Sequence, residues 1–384
     1  MKTFFQTGIL LASLCAMALS GCAIPHRSSG NASSPLSSTP VAASGTSGSA
    51  PSSSLPVSAK NNCGAPITYT VFISNAYGSD WSKANNLIAF NQQAGDGYYH
   101  IYTVRPDGSD RQQVGAGSPT FPQRTTGTPA WSPSGQYMAF VAEKTGNLPG
   151  SLVGDTFGAT PGWGDYTDLW VSNANGSKAW QLTDLPAAPH NQTFIPQFSP
   201  NGQLLEWTEI DSGIWNLKIG HFNVSPSGVP SLSGIQTIQS GGKSMVESGG
   251  FSADSSTVLF TSAGQIDSMN LSSGEITRLT HWNYYNEHPR FTPDGRVIWM
   301  SNAYQPLSHV TGDDWWIMSA DGSNPQRLSS FNNPASSEYF GQTVYATVVN
   351  TDSWSADGAS FYGDVELSIV TSKSDIVRAS LTCH

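Results

Sequence analysis

Glu247 and Glu287 hold equivalent places in the chain, each four residues ahead of a phenylalanine, Phe251 or Phe291, that opens an aromatic-Ser/Thr-x-Asp unit. His288 and Arg290 stand three and one residues ahead of Phe291. Carboxylates, an imidazole and a guanidinium are the side chains that hold charged ligands or move protons. The preceding run, His281-Trp282-Asn283-Tyr284-Tyr285-Asn286, sets aromatic faces among polar amides, and Trp163, Tyr304 and Tyr339 lie in other loop-like stretches rich in Asn, Asp and Glu. Such surfaces suit stacking on sugar rings or anchoring a protein partner. Conventional catalytic signatures are missing: there is no His-Glu-x-x-His, no Gly-x-Ser-x-Gly elbow, no Cys-x-x-Cys pair and no phosphate-cradling glycine loop. The Asp-Gly-Ser segments resemble calcium loops only superficially, because their surroundings read as hairpins. The expectation is a ligand-binding surface with no assigned catalytic residue, metal or cofactor.

These residues are positioned by a repeat. Trp131-Ser132-Pro133-Ser134-Gly135 leads, nine residues after the tryptophan, to Phe140, and the flanks are β-prone. Proline presets φ at the second turn position and glycine supplies a positive φ at the end, so the unit reads as strand, tight turn, strand. It recurs from Trp81, Phe198, Phe251, Phe291 and Trp354, at intervals of 50, 67, 53, 40 and 63 residues. The first and last copies are degenerate, as terminal repeats often are. A second turn follows most copies: Arg105-Pro106-Asp107-Gly108, Asn173-Ala174-Asn175-Gly176, Leu271-Ser272-Ser273-Gly274 and Ser319-Ala320-Asp321-Gly322. Asp-Gly and Asn-Gly are strong hairpin signals. Each unit therefore holds four strands, and four-stranded sheets repeated about an axis are propeller blades.

The Trp-Ser-Pro-x-Gly unit followed by the Ala-Asp-Gly-Ser turn resembles the repeat of TolB-type β-propellers, a branch of the WD-like superfamily, over about residues 64–384. The resemblance implies an all-β, six-bladed β-propeller. In such a disc the first strand of each blade starts at one face. The residues four, three and one before each lead aromatic then ring the mouth of the central channel, and Glu247, Glu287, His288 and Arg290 converge on its blade-four and blade-five side. The longest inserts, Glu143–Thr167, His281–Asn286, Asn302–Asp314 and Asn332–Tyr345, fall on the same face. Trp170, Trp207, Trp299 and Trp316 sit on strands and read as core.

Cys63 and Cys383 flank the folded region. Ile67–Ile73 reads as a strand ahead of the first blade and Asp375–Leu381 as the third strand of the last. If the two pair antiparallel, the ring closes and the two cysteines meet, and an oxidising compartment would permit a disulfide. The alternative is two free thiols.

Ahead of this region, Met1–Gly21 has a positive Lys2 and a short apolar stretch, Gly8–Leu19, and reads as a signal peptide. Leu19-Ser20-Gly21-Cys22 resembles the lipobox of bacterial lipoproteins, which implies lipidation at Cys22. Ala23 follows, where enteric inner-membrane lipoproteins carry Asp, which favours the outer membrane, facing the periplasm or the exterior. Residues 22–62 are Ser-, Ala-, Pro- and Gly-rich and too poor in apolar residues to fold, so they read as a tether with a reach of about 35 Å. Residues 63–384 form the propeller. Only 11% of the residues are charged and the formal net charge is −10, which argues against nucleic-acid binding.

The function expected is a non-enzymatic, lipid-anchored envelope module, monomeric, that binds a protein or glycan at its loop-rich channel face. TolB propellers, which dock a peptidoglycan-associated lipoprotein and thread a peptide into the channel, support it. This chain differs from them in having no α/β domain ahead of the propeller and in carrying its own lipobox. The alternative is a metal-assisted lyase or hydrolase on acidic oligosaccharides, since oligogalacturonate lyases are similar in being propellers with His ligands at the channel. That likeness implies His190, His281, His288 and His309 as ligands, Glu287 as ligand or base, and Arg290 as a carboxylate clamp.

Overall fold

The structure, a computed structural model, describes residues 63–144, 166–188, 190–281, 283–303, 312–339, 345–347, 353–368 and 373–383. They form six four-stranded antiparallel sheets. Blade one runs from β2 (Ala76–Ser82) through β3 (Leu87–Gln93) and β4 (Tyr99–Val104) to β5 (Gln112–Gln113). Blade two holds β6 (Thr126–Trp131), β7 (Tyr137–Glu143), β8 (Thr167–Asn173) and β9 (Ala179–Gln181). Blade three holds β10 (Gln192–Phe198), β11 (Leu204–Asp211), β12 (Ile214–Val224) and β13 (Pro230–Gly242). Blade four holds β14 (Val246–Phe251), β15 (Thr257–Ser262), β16 (Gln265–Asn270) and β17 (Ile276–Arg278). Blade five holds β18 (Asn286–Phe291), β19 (Val297–Ser301), β20 (Asp314–Met318) and β21 (Gln326–Arg327).

Blade six is composite. Its first three strands, β22 (Tyr345–Thr347), β23 (Ser360–Ser368) and β24 (Lys373–Cys383), come from the end of the chain, and its fourth is β1 (Cys63–Ser74). β1 pairs antiparallel with β24 in a register that sets Cys63 opposite Cys383. The two sulfurs are bonded, with Cα atoms 4.0 Å apart. The first strands of successive blades touch from β2 to β18, β19 meets β22, and β2 meets β23, so the sheets close into a ring. The expected six-bladed, all-β propeller closed by its amino-terminal strand is what the chain adopts.

The turns have the geometry their residues dictate. Gly135 donates its amide to Ser132 O at 2.8 Å, Gly202 to Ser199 O at 2.8 Å, Gly295 to Thr292 O at 2.9 Å and Gly358 to Ser355 O at 2.9 Å. All four glycines have positive φ, and Ser255 takes the same conformation in blade four at φ 62. Glycine is the residue that adopts it without a Cβ clash.

The lead aromatics explain why the blades stack. Among the described residues, six apolar clusters each occupy one seam, and each lead aromatic packs against the blade before its own. Trp131 joins Ile101 and Val114 of blade one, Phe251 joins Leu217 of blade three, and Phe291 joins Leu259 and Ile266 of blade four. Phe198 lies against Ala139 and Leu169 of blade two, Trp354 against Ile317 of blade five, and Trp81 against Ile376 of blade six. Alternation along the second strands divides the rest. In β19, Val297 and Trp299 serve the seam with blade four, and Ile298 serves the seam with blade six. Trp207, Trp299 and Trp316 are buried as expected, while Trp170 is only partly buried against the blade-one seam.

Candidate functional site

The first strand of a blade is not a regular strand. In blades one, two, three and five the pairing register with the second strand slips between the residues four and one before the lead aromatic: Tyr77/Asp80, Gly127/Ala130, Phe194/Gln197 and Glu287/Arg290. Blade four slips one residue later, between Ser248 and Phe251. Gly78, Thr128, Ile195 and His288, each three before its aromatic, have positive φ of 73°, 46°, 51° and 51°. These are β-bulges, which bend a strand and re-aim its side chains. The amide of the residue three before the aromatic is held across the seam by the preceding blade: Thr261 Oγ1 accepts a hydrogen bond from His288 N at 3.2 Å, and Thr208 Oγ1 accepts one from Ser248 N at 2.9 Å.

This bulge brings Glu247, Glu287 and His288 together. Glu247 and Glu287 are 6% and 5% exposed, and the His288 side chain is 19% exposed. His288 Nδ1 lies 3.6 Å from Glu247 Oε2, and its Nε2 lies 3.7 Å from Glu287 Oε2. One ligand atom from each of the three falls within 4.8 Å of the others. Burial first, then the neighbouring Glu287, pushes the Glu247 carboxyl well above the usual range. Burial lowers His288, favouring the neutral imidazole, and Glu287 opposes that effect.

Arg290 is fully buried rather than presented to the mouth. Its Nη1 donates to Pro289 O at 2.7 Å and to Ser248 O at 3.2 Å, tying β18 to the bulge of β14. Burial lowers it to about 10, still cationic at neutral pH, and Glu206, Glu247 and Asp80 are the carboxylates that hold its charge. The guanidinium therefore supports the site from behind, where an external carboxylate does not reach it.

The other expected residues divide. Tyr285 lies on this face: its amide donates to Asn302 Oδ1 at 2.9 Å and its hydroxyl reaches Met245 Sδ at 3.7 Å. Tyr284 packs against the seam between blades four and five, and His281 is exposed at the start of the same loop. Tyr339 is 46% exposed but belongs to a segment braced on the outermost strand of blade six, where Glu338 Oε1 accepts a hydrogen bond from Ile67 N at 3.2 Å. The structure does not bring it to the carboxylates. His190 falls at the end of blade two's exit loop, with φ 64, and no contact joins it to the cluster. Trp163, Trp282, Tyr304, His309, Cys22 and the leader and tether segments lie outside the described residues.

Two acidic residues belong with the site that sequence reasoning did not assign to it. Glu206, on β11, accepts a hydrogen bond from Gly250 N at 2.6 Å and is raised to about 8 by burial. Asp313 is fully buried just ahead of β20, close enough to Glu287 for that charge to raise it beyond the effect of burial. Glu206 follows Leu204 and Leu205 in an ordinary strand pattern, so nothing local marked it. Asp313 could have been found from its place in the second-to-third-strand insert, which must return to the mouth face.

No protein-family model matches the chain. No curated protein matches it either. Solved structures do. A protein assigned as TolB from Agrobacterium tumefaciens superposes with a TM-score of 0.51 at 13% identity, over 83% of this chain and 98% of that one. By fold, the chain is a six-bladed β-propeller, the architecture it shares with that protein. A gluconolactonase from Xanthomonas campestris also matches, with a TM-score of 0.50 at 13% identity, over 82% of this chain and 90% of that one. An oligogalacturonate lyase in complex with manganese matches with a TM-score of 0.47 at 10% identity, over 84% and 98%. What the first two share with this chain is architecture; the chemistry rests on the side chains above.

Proposed function

We propose that this propeller is an envelope binding module, tethered through lipid on Cys22, that captures a protein segment or a glycan at the channel mouth beside blades four and five. The observation that carries the reading is the partly exposed His288 backed by buried Glu247 and Glu287, with Tyr285 and the exposed His281 on the adjoining loop. A polar group over a rigid, buried carboxylate floor, flanked by aromatic surface, is how a preformed site fixes orientation. The rigidity comes from the bulge and from Arg290, both built into β18. The fold supports the same reading, because the connections between successive blades, among them the loop from His281 to β18, all lie on one face of the closed disc. Residues 1–21 as a leader and 22–62 as a tether complete the proposal, with the bacterial envelope as its location.

The test is capture by the full-length chain on a glycan array and from envelope extracts, repeated with His281→Ala/Tyr285→Ala. The reading requires a ligand that the wild type retains and the double variant loses by tenfold or more. Equal capture by both, or none by either, contradicts it.

One observation favours a second reading, a metal-assisted lyase or hydrolase on acidic oligosaccharides: two carboxylates and an imidazole bring one ligand atom each within 4.8 Å of one another. Turnover of an acidic oligosaccharide that is abolished by chelation would favour it over simple capture.

A further inference from the structure

We propose that Glu247, Glu287 and His288 form a binding site for one divalent first-row cation of the zinc class, set in the channel wall between blades four and five. The donors converge without any rearrangement of the backbone, because one ligand atom from each already lies within 4.8 Å of the others. A zinc ion with bonds of about 2.0–2.2 Å needs donors about 3.4 Å apart, which small side-chain rotations supply. His288 stands 3.6 Å from one carboxylate and 3.7 Å from the other, so the ring already sits between them.

A second observation points to a ligand here. Glu247 Oε2 is buried and has no hydrogen-bond partner, and it is the oxygen aimed at His288. A buried carboxylate oxygen left without a donor costs stability. Arg290 is the buried cation held by Glu206, Glu247 and Asp80, and a dication between Glu247 and Glu287 would add positive charge to this acidic cluster.

The donor set chooses the cation. Two carboxylates alone would suit calcium or magnesium, which demand six or more oxygens, whereas an imidazole draws the preference toward zinc and its neighbours. The buried sides of Glu247 and Glu287 close the floor, and the partly exposed edge of His288 leaves the remaining coordination position toward the mouth. Such a three-donor site with an open position can bind a ligand oxygen directly. The inference goes beyond the capture reading and does not depend on which ligand docks.

The experiment titrates the purified full-length chain, freed of any tag and stripped with chelator, with zinc chloride alone, and with manganese and calcium chloride in parallel. One zinc per chain is expected, bound at least tenfold more tightly than calcium. Glu247→Gln and His288→Ala should each weaken zinc binding tenfold or more, and His221→Ala, an exposed position on β12, should not. Failure of zinc to bind, or binding unchanged in both variants, overturns the proposal. Should the variants fail to fold, X-ray absorption of the zinc-loaded wild type decides: a single imidazole among oxygen donors supports the site, and a shell without imidazole overturns it. Because the titration contains metal alone, its outcome is separate from that of the capture assay.

Discussion

The Asp364 carboxylate, on the second strand of blade six, accepts a hydrogen bond at 2.7 Å from the amide of Gly78, in the bulge of blade one. Glu206 does the same for Gly250 at the seam between blades three and four. A buried acid on one blade thus grips the irregular backbone of the next, and at Asp364 it does so where the ring closes.

Burial raises Asp364 from 3.8 to about 8, with the Gly78 bond opposing and the charge of Glu366 adding. Glu366 itself is raised to about 7 by burial. The folded state therefore keeps protons that the unfolded chain releases near pH 4. The stabilisation is fully present below that pH and is lost as pH rises to about 8, by up to about 5 kcal/mol from Asp364. Urea melts between pH 5 and 9 should show falling stability, and Asp364→Asn should flatten much of the slope. An unaltered slope in the variant would show that this carboxyl does not carry the dependence.

Gly78 itself admits no side chain. At φ 73 a Cβ would lie 2.4 Å from the Asn91 amide nitrogen, within a buried wall. Gly78→Ala should cost about 2–3 kcal/mol, combining left-handed strain with displacement of Asn91. Stability within 0.5 kcal/mol of wild type would contradict the bulge geometry.

The closure is also covalent. Linking residues 320 apart removes much of the unfolded chain's freedom, and the chain-entropy model puts the stabilisation at about 6 kcal/mol. Cys63→Ser/Cys383→Ser should unfold at markedly lower denaturant, with β1 releasing first in hydrogen exchange. Uniform exchange across all blades would mean that the seam is no weaker than the rest.

The aromatic residues separate by role. Phe251 is 1% exposed at the seam between blades three and four, so Phe251→Ala should cost about 3–5 kcal/mol. Tyr339→Ala, at an exposed position, should stay within about 0.5 kcal/mol. It should also leave capture intact, since Tyr339 is braced near β1 through Glu338.

The architecture was legible because it repeats. The aromatic-Ser/Thr start recurs six times, three of them with the full Pro-x-Gly turn, and this marked strand, turn and spacing; the pairing of Cys63 with Cys383 followed from asking which strand completes the last blade. Glu247, Glu287 and His288 were legible through their shared distance from a lead aromatic, which turned out to frame a bulge. What was not legible was direction. Arg290 is as polar as His288 and two residues away, yet the slip in register turns it inward against Ser248. Tyr339 shared the composition of the other inserts, but its loop passes over the seam to the outer strand, a route that no local pattern encodes.

The most direct measurement places a photo-crosslinking residue at His281, on the mouth face, or at Ser134, which the antiparallel order of the strands puts on the opposite face, and irradiates living cells. Crosslinked adducts from position 281 and none from position 134 are the predicted result. Adducts from position 134 alone, or equally from both, would contradict a binding face at blades four and five.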